Sequence, residues 1–253
     1  MAYISLERVG VDFPIFGANK NFRLSLIDGL TGGKILPKSL QTKSIIIKAL
    51  DDINLNLRSG DRIGLIGHNG AGKSTLLRVL AGVYQPTSGR MSIEGKLSPL
   101  LNQTPGMEPE DSGYENILTV GMLLGMSLDE IKGKAPEIIE FSGLGDYINF
   151  PIRTYSTGMQ ARLGFSICTS IDPGILLLDE GIGAADARFA EKASARIKGL
   201  LEKTEILVLA SHSDAMIKEM CDRAVLMHHG RVLDIGNVSD VLKTYHDILE
   251  STV

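Results

Sequence analysis

Between residues 50 and 66 the hydrophobic pattern changes character. Ile53, Leu55 and Leu57 alternate with Asn54 and Asn56, the period of a strand with one buried face. Ser59-Gly60-Asp61 is turn chemistry, and "RIGLI" at 62–66 then predicts a more fully buried strand. Upstream, "YISLERVGVDF" predicts a first strand, followed over 14–44 by an irregular stretch rich in Gly, Lys, Pro and Ser. Downstream, "STLLRVLAG" predicts a helix with Leu76, Leu77 and Leu80 on one side and Gly82 as its stop.

From about Lys96 to Ile152 helices are expected to dominate, punctuated by Pro and Gly. Ser127 and Glu130 carry the spacing of a capping box, and Pro136 is expected to break or restart that helix. Strand patterns then return as "ILLLD", "EILVLAS" and "RAVLMHHGRVLDIG", the last a hairpin turning at His229-Gly230. A final helix, "SDVLKTYHDILES", is expected to bury Val241, Leu242, Tyr245, Ile248 and Leu249. Strand and helix alternate, so the fold class is α/β: a mainly parallel sheet with antiparallel edge strands and a helical insert. The core is assigned to 1–95 and 165–253 and the insert to 96–164.

Composition narrows the partners. The 253 residues suit one large domain or a core with a small insert. Lys+Arg 26 against Asp+Glu 30 gives a net charge of -4, with no basic block, which disfavours nucleic acid as the main partner. The apolar runs are too short to span a bilayer, and the charged N-terminus does not resemble a signal peptide. The chain is therefore expected in the cytosol unless a membrane partner holds it. Cys168 and Cys221 lack metal-ligand spacing and read as buried, reduced thiols.

The most specific chemistry is "GHNGAGKST", Gly67 to Thr75, which satisfies the phosphate-loop pattern G-x-x-x-x-G-K-[ST] between an expected strand and an expected helix. Gly67, Gly70 and Gly72 let the backbone turn its N–H groups toward phosphate oxygens, and the helix adds its positive end. His68, Asn69 and Ala71 complete the loop. Lys73 supplies a charge for the β/γ-phosphates, Ser74 a ligand for Mg²⁺, and Thr75 a hydroxyl for a phosphate oxygen. The expected cofactors are ATP and Mg²⁺.

"ILLLDE" delivers Asp179 and Glu180 at the carboxyl end of a buried strand, where sites gather in open parallel sheets. Asp179 suits the Mg²⁺ shell, and Glu180 an attacking water. His212, just past "EILVLAS", can reach a γ-phosphate or that water. His228, His229 and His246 read as structural or exposed, and so does the His68 side chain.

Together these residues resemble the nucleotide-binding subunit of an ABC transporter, in the order phosphate loop, helical insert, signature, acidic strand and switch His. "YSTGM" at 155–159 resembles the signature, for which the family pattern is Leu-Ser-Gly-Gly-Gln; Tyr155, Thr157 and Met159 depart from it. The resemblance implies a homodimer in which Ser156 and Gly158 of one subunit meet the γ-phosphate held by the other. Asp186 corresponds to the family's D-loop Asp. Gln103 corresponds to the Q-loop residue, a contact to γ-phosphate and metal, with Asn102 as the alternative. For the aromatic that stacks on adenine, "KSIIIKAL" offers only Ile45 to Ile47; Phe13 or Phe16 is the available substitute, and otherwise adenine rests on aliphatic surface and binds more weakly.

"YSTGM-x-x-RLGF" followed by "DARF" at 186–189, with the long region between the first two strands, resembles the polysaccharide-exporter branch. That implies a peripheral ATPase on the cytoplasmic face of the inner membrane, a separate transmembrane permease, and a lipid-linked polysaccharide as cargo. Because Val253 follows soon after the last core helix, a C-terminal carbohydrate-binding domain is expected to be absent. The competing readings are a soluble ABC-type ATPase not coupled to transport and a P-loop kinase or GTPase; the signature and His212 disfavour the latter.

Overall fold

The alternation at Ile53, Leu55 and Leu57 becomes one long strand with its apolar face fully covered. It belongs to a computed structural model that describes residues 1–16, 34–37, 44–101, 106–179 and 187–251. In chain order the strands and helices are β1 (Tyr3–Phe16), β2 (Lys34–Pro37), β3 (Ser44–Arg58), β4 (Arg62–Ile66), α1 (Lys73–Leu80), β5 (Ser88–Glu94), β6 (Leu97–Leu100), α2 (Gly113–Leu123), α3 (Leu128–Ser142), α4 (Thr157–Cys168), β7 (Ile175–Asp179), α5 (Ala187–Lys203), β8 (Ile206–Ala210), α6 (Asp214–Met220), β9 (Arg223–His228), β10 (Arg231–Asn237) and α7 (Val238–Ser251). Contacts divide them into two compact units, residues 1–95 with 205–253, and residues 96–204.

In the first unit β1 pairs antiparallel with β3 on one side and β5 on the other, and β2 adds to the outer edge of β3. A second set places β4 between β8 and β9, both parallel to it, with β10 antiparallel to β9. Ile63, Leu65, Val208 and Val225 are buried there because parallel strands are covered on both faces. Two expectations need correction. The irregular reading of 14–44 is too broad, since β1 runs to Phe16 and β2 forms at 34–37; residues 17–33 and 38–43 lie outside the described set. In α7, Val241 and Leu242 are buried and Tyr245 and Ile248 half-buried, but Leu249 is 44% exposed.

The second unit pairs β6 with β7 in parallel, Leu97 opposite Ile175. Its helical core joins Ile117 and Val120 of α2, Ile131 and Ile138 of α3, and Leu163 and Ile167 of α4. Helices therefore do not fill the stretch from Lys96 alone: "LSPL" is a short strand, and Pro99 is tolerated because β6 ends its sheet. The expected return to the α/β core at 165 falls within this unit, where α4 is continuous and Phe165 packs on Phe189 of α5 and Phe141 of α3. Pro136 does not break α3. It sits on the exposed side, so the carbonyl it leaves unpaired can meet water, while Ile131, Ala135 and Ile138 hold the helix from the other side. The capping box at Ser127 and Glu130 forms as expected, and a second forms at Ser112 and Glu115.

Both cysteines are buried, and burial is the first cause that pushes each thiol up to about 12. Neither is a reactive thiolate near neutral pH.

Candidate functional site

The loop at 67–72 leaves β4 and enters α1 along the backbone of its neighbour β9. Gly67 has φ 146°, and a Cβ there would lie 2.3 Å from the Met227 carbonyl oxygen. Only glycine lets the chain turn this close to β9. The Ala71 amide donates to the His68 carbonyl at 3.1 Å, and the Gly230 amide to the Ala71 carbonyl at 2.9 Å. The turn after β9 therefore braces the loop. Asp51 holds that turn in place: its amide donates to the Gly230 carbonyl at 2.8 Å, and its carboxylate pairs with Lys48 and Arg231. Lys48 first, then Arg231, draw its pKa below the usual range against the opposing effect of burial.

Gly72 is the N-cap of α1, and no side chain caps it. The first intrahelical bond runs from the Leu76 amide to the Gly72 carbonyl at 2.8 Å. The amides of Lys73, Ser74 and Thr75 precede that bond and have no acceptor within the helix. They form the donor cradle that a phosphate chain requires. Lys73 is only 8% exposed, and its ammonium donates to the Gly67 carbonyl at 2.5 Å and the His68 carbonyl at 3.2 Å. The charge is thus bent back over the loop. Ser74 and Thr75 are half-buried, while Asn69 and Gly70 face solvent. Amides, ammonium and hydroxyl together fit a nucleotide's phosphates with a hard cation beside them.

Gly67→Ala is expected to cost about 3 kcal/mol, roughly 6–12 °C of Tm, from the clash and the positive φ. Gly82→Ala, at φ 74° with nothing within 4 Å of a new Cβ, is expected to cost about 1 kcal/mol. Thermal unfolding of both variants measures the difference; equal losses would contradict the close approach to β9.

His212 is exposed and follows the carboxyl end of β8. The Ser213 amide donates to the buried Ser211 hydroxyl at 2.9 Å, fixing the backbone on both sides of it. Phe13 packs edge-on against Tyr84, with centroids 5.2 Å apart, so its ring already has a partner; the Phe16 side chain lies outside the described residues.

In the second unit Ser156 is the exposed N-cap of α4 and accepts from the Met159 amide at 3.2 Å. Gly158, half-buried, is in the first turn. Tyr155, the departure from Leu, is buried, and its hydroxyl donates to the Tyr147 carbonyl at 2.5 Å. It fills the helical core and satisfies its own polar tip, so the aromatic anchors the start of α4 from inside. Asp179 is the half-buried last residue of β7. Glu180, Asp186, Gln103 and Asn102 fall outside the described residues.

Sequence reasoning missed one cluster. It treated His68, His228 and His229 as separate bland positions, yet one ligand nitrogen from each lies within 4.8 Å of the others. Spacing gave no warning, because the strands that join them are about 160 residues apart in the chain.

Residues 50–183 match the family model described as ABC transporter. Over 92% of its length the chain is 43% identical to the O-antigen export system ATP-binding protein RfbE of Yersinia enterocolitica, spanning 98% of that protein. It is 35% identical to the teichoic acids export ATP-binding protein TagH of Listeria monocytogenes, over 98% of this chain and 70% of that one. Among solved structures, the dimeric post-hydrolysis state of the ATP-binding cassette MJ0796 bound to ADP and Pi superposes with a TM-score of 0.66 at 21% identity, over 93% of this chain and 98% of that one. That likeness concerns the fold.

Proposed function

The chain belongs to the ABC transporter family, and from that premise we propose that it is the ATP-hydrolysing subunit of an exporter for a lipid-linked polysaccharide. The observation that carries the ATPase reading is the uncapped start of α1 with the buried Lys73 ammonium folded over the loop. Similarity to export ATPases for O-antigen and teichoic acids supports the cargo class. Among the described residues no helix is long and apolar enough to cross a membrane. We assign the membrane path to a separate permease, with this chain as a homodimer on the cytoplasmic face of the inner membrane.

Within that reading the amides of 67–75 bind the phosphates and Lys73 stabilises charge on the transferred group. Ser74 and Asp179 are the residues we assign to Mg²⁺, with Gln103 as a further ligand; the ion, when bound, neutralises phosphate charge. Glu180 orients or deprotonates the attacking water, and His212 contacts that water or the γ-phosphate. Ser156, Gly158 and Asp186 act across the dimer, and residues 96–164 form the helical insert.

Glu180→Gln is the direct test. It keeps the side chain's shape and removes the base, so ATP binding persists while turnover falls by a factor of about 10² to 10⁴. Size-exclusion with Mg-ATP is expected to show an accumulated dimer; normal turnover by a persistent monomer contradicts the assignment. Export is tested in the host. Deleting the gene is expected to leave lipid-linked glycan on the inner side of the membrane, and restoring the chain to clear it. Absence of that accumulation favours an ABC-type ATPase not coupled to transport.

A further inference from the structure

We propose that His68, His228 and His229 form a binding site for one divalent transition-metal ion of the zinc class, set between the phosphate loop and the turn after β9. The three imidazoles come from two segments that the fold presses together. Ring centroids are 5.0 Å apart for His68 and His228, 5.0 Å for His68 and His229, and 4.2 Å for His228 and His229. Zinc bound tetrahedrally at about 2.0–2.1 Å from each nitrogen needs the ligand atoms somewhat over 3 Å apart. A cluster already within 4.8 Å reaches that by side-chain rotation.

His68 carries the chemistry furthest. Its Nδ1 lies 2.7 Å from the Asn69 carbonyl oxygen. A carbonyl only accepts, so Nδ1 carries the proton in this contact. In the neutral ring that leaves the lone pair on Nε2, which is buried and has no hydrogen-bond partner. A bare lone pair on one nitrogen and an N–H···O=C bond on the other is the state in which a histidine ligates metal, the carbonyl fixing tautomer and ring direction. Buried polar atoms otherwise find partners, so this one calls for an occupant.

The frame is set beforehand. His228 ends β9, and His229 turns the chain at φ 46° before Gly230, whose amide is bound to Ala71. Three imidazoles, with no thiolate or carboxylate in the cluster, select zinc, cobalt, nickel or copper over magnesium or calcium. Since the His68 carbonyl also accepts from Lys73, an ion here would tie the phosphate loop to the turn.

The test uses the full chain with any polyhistidine tag removed and no nucleotide present, because ATP chelates the probe. Titration with Co²⁺ is expected to give visible absorption of a tetrahedral site that saturates at one equivalent, and Zn²⁺ to displace it. His228→Gln and His229→Asn are each expected to weaken binding by more than roughly tenfold, the lower end of losses from altered ligand surroundings. Asn tolerates the positive φ at 229. His246→Gln, which removes a pair with Asp214 at 3.2 Å, is expected to leave binding unchanged. A second readout needs no variant: imidazole nitrogen shifts of the three residues are expected to move together on adding one equivalent of Zn²⁺. Absence of a saturable site, unmoved shifts, or equal loss in the His246 variant would overturn the proposal.

Discussion

Lys73→Ala is expected to lower ATP turnover by about a thousandfold or more and to weaken nucleotide binding. The size follows from where the ammonium sits. It is almost wholly buried and held by the Gly67 and His68 carbonyls. A donor fixed in advance needs no reorganisation when charge develops on the transferred phosphoryl group, and removing one such donor costs about 10²–10³. Here a full charge goes with it. The same change removes a donor from two loop carbonyls, of which that of His68 keeps the Ala71 amide, and an unsatisfied buried acceptor costs about 1–3 kcal/mol. Lost desolvation of the ammonium offsets part of that, so the fold is expected to survive. Phosphate release, nucleotide titration and circular dichroism on one preparation separate the effects. A folded variant within tenfold of wild-type turnover would show that Lys73 is not the phosphate-binding lysine.

What could be read from the sequence was local. The alternation at Ile53, Leu55 and Leu57, the run "RIGLI" and the turn at His229-Gly230 each place their signal within a few residues, and each forms as expected. The six loop residues between β4 and α1 likewise specify their own backbone. The misses were tertiary. β5 has mostly exposed side chains and alternates only over Met91–Glu94, too short a signal to mark a strand without its pairing with β1. Pro136 stays helical because its neighbours are buried, which propensity cannot register. Leu249 continues an apolar stripe that the first unit does not cover to its end. The histidine cluster needs β4 beside β9 before it exists at all. Tyr155 is the instructive middle case: as a letter it was a departure from the family pattern, and as a packed ring it explains how α4 begins.

The role of Ser156 is settled by which subunit it serves, and two mixed dimers give opposite answers. In the first, one subunit carries Ser156→Arg and the other Lys73→Ala. If the signature acts across the dimer, both lesions fall on the same composite site. The other site then joins an intact loop to an intact signature, and nucleotide occupancy survives in the Ser156→Arg subunit's loop. If Ser156 acts within its own chain, each subunit damages its own site and neither is spared. In the second dimer one subunit carries both substitutions and its partner none. Action across the dimer now predicts two damaged sites, and action within the chain predicts one intact. Each corresponding homodimer is expected to be inactive under either reading. The substitution is tolerable for the fold, because Ser156 is exposed and its cap bond to the Met159 amide is worth about 1 kcal/mol. At the exposed start of α4 the guanidinium instead occupies the space in front of the helix that a γ-phosphate would need. Subunits distinguished by two tags allow occupancy and hydrolysis to be counted per purified dimer. Activity in the second dimer without activity in the first would sink the head-to-tail arrangement and leave Ser156 as the cap of its own helix.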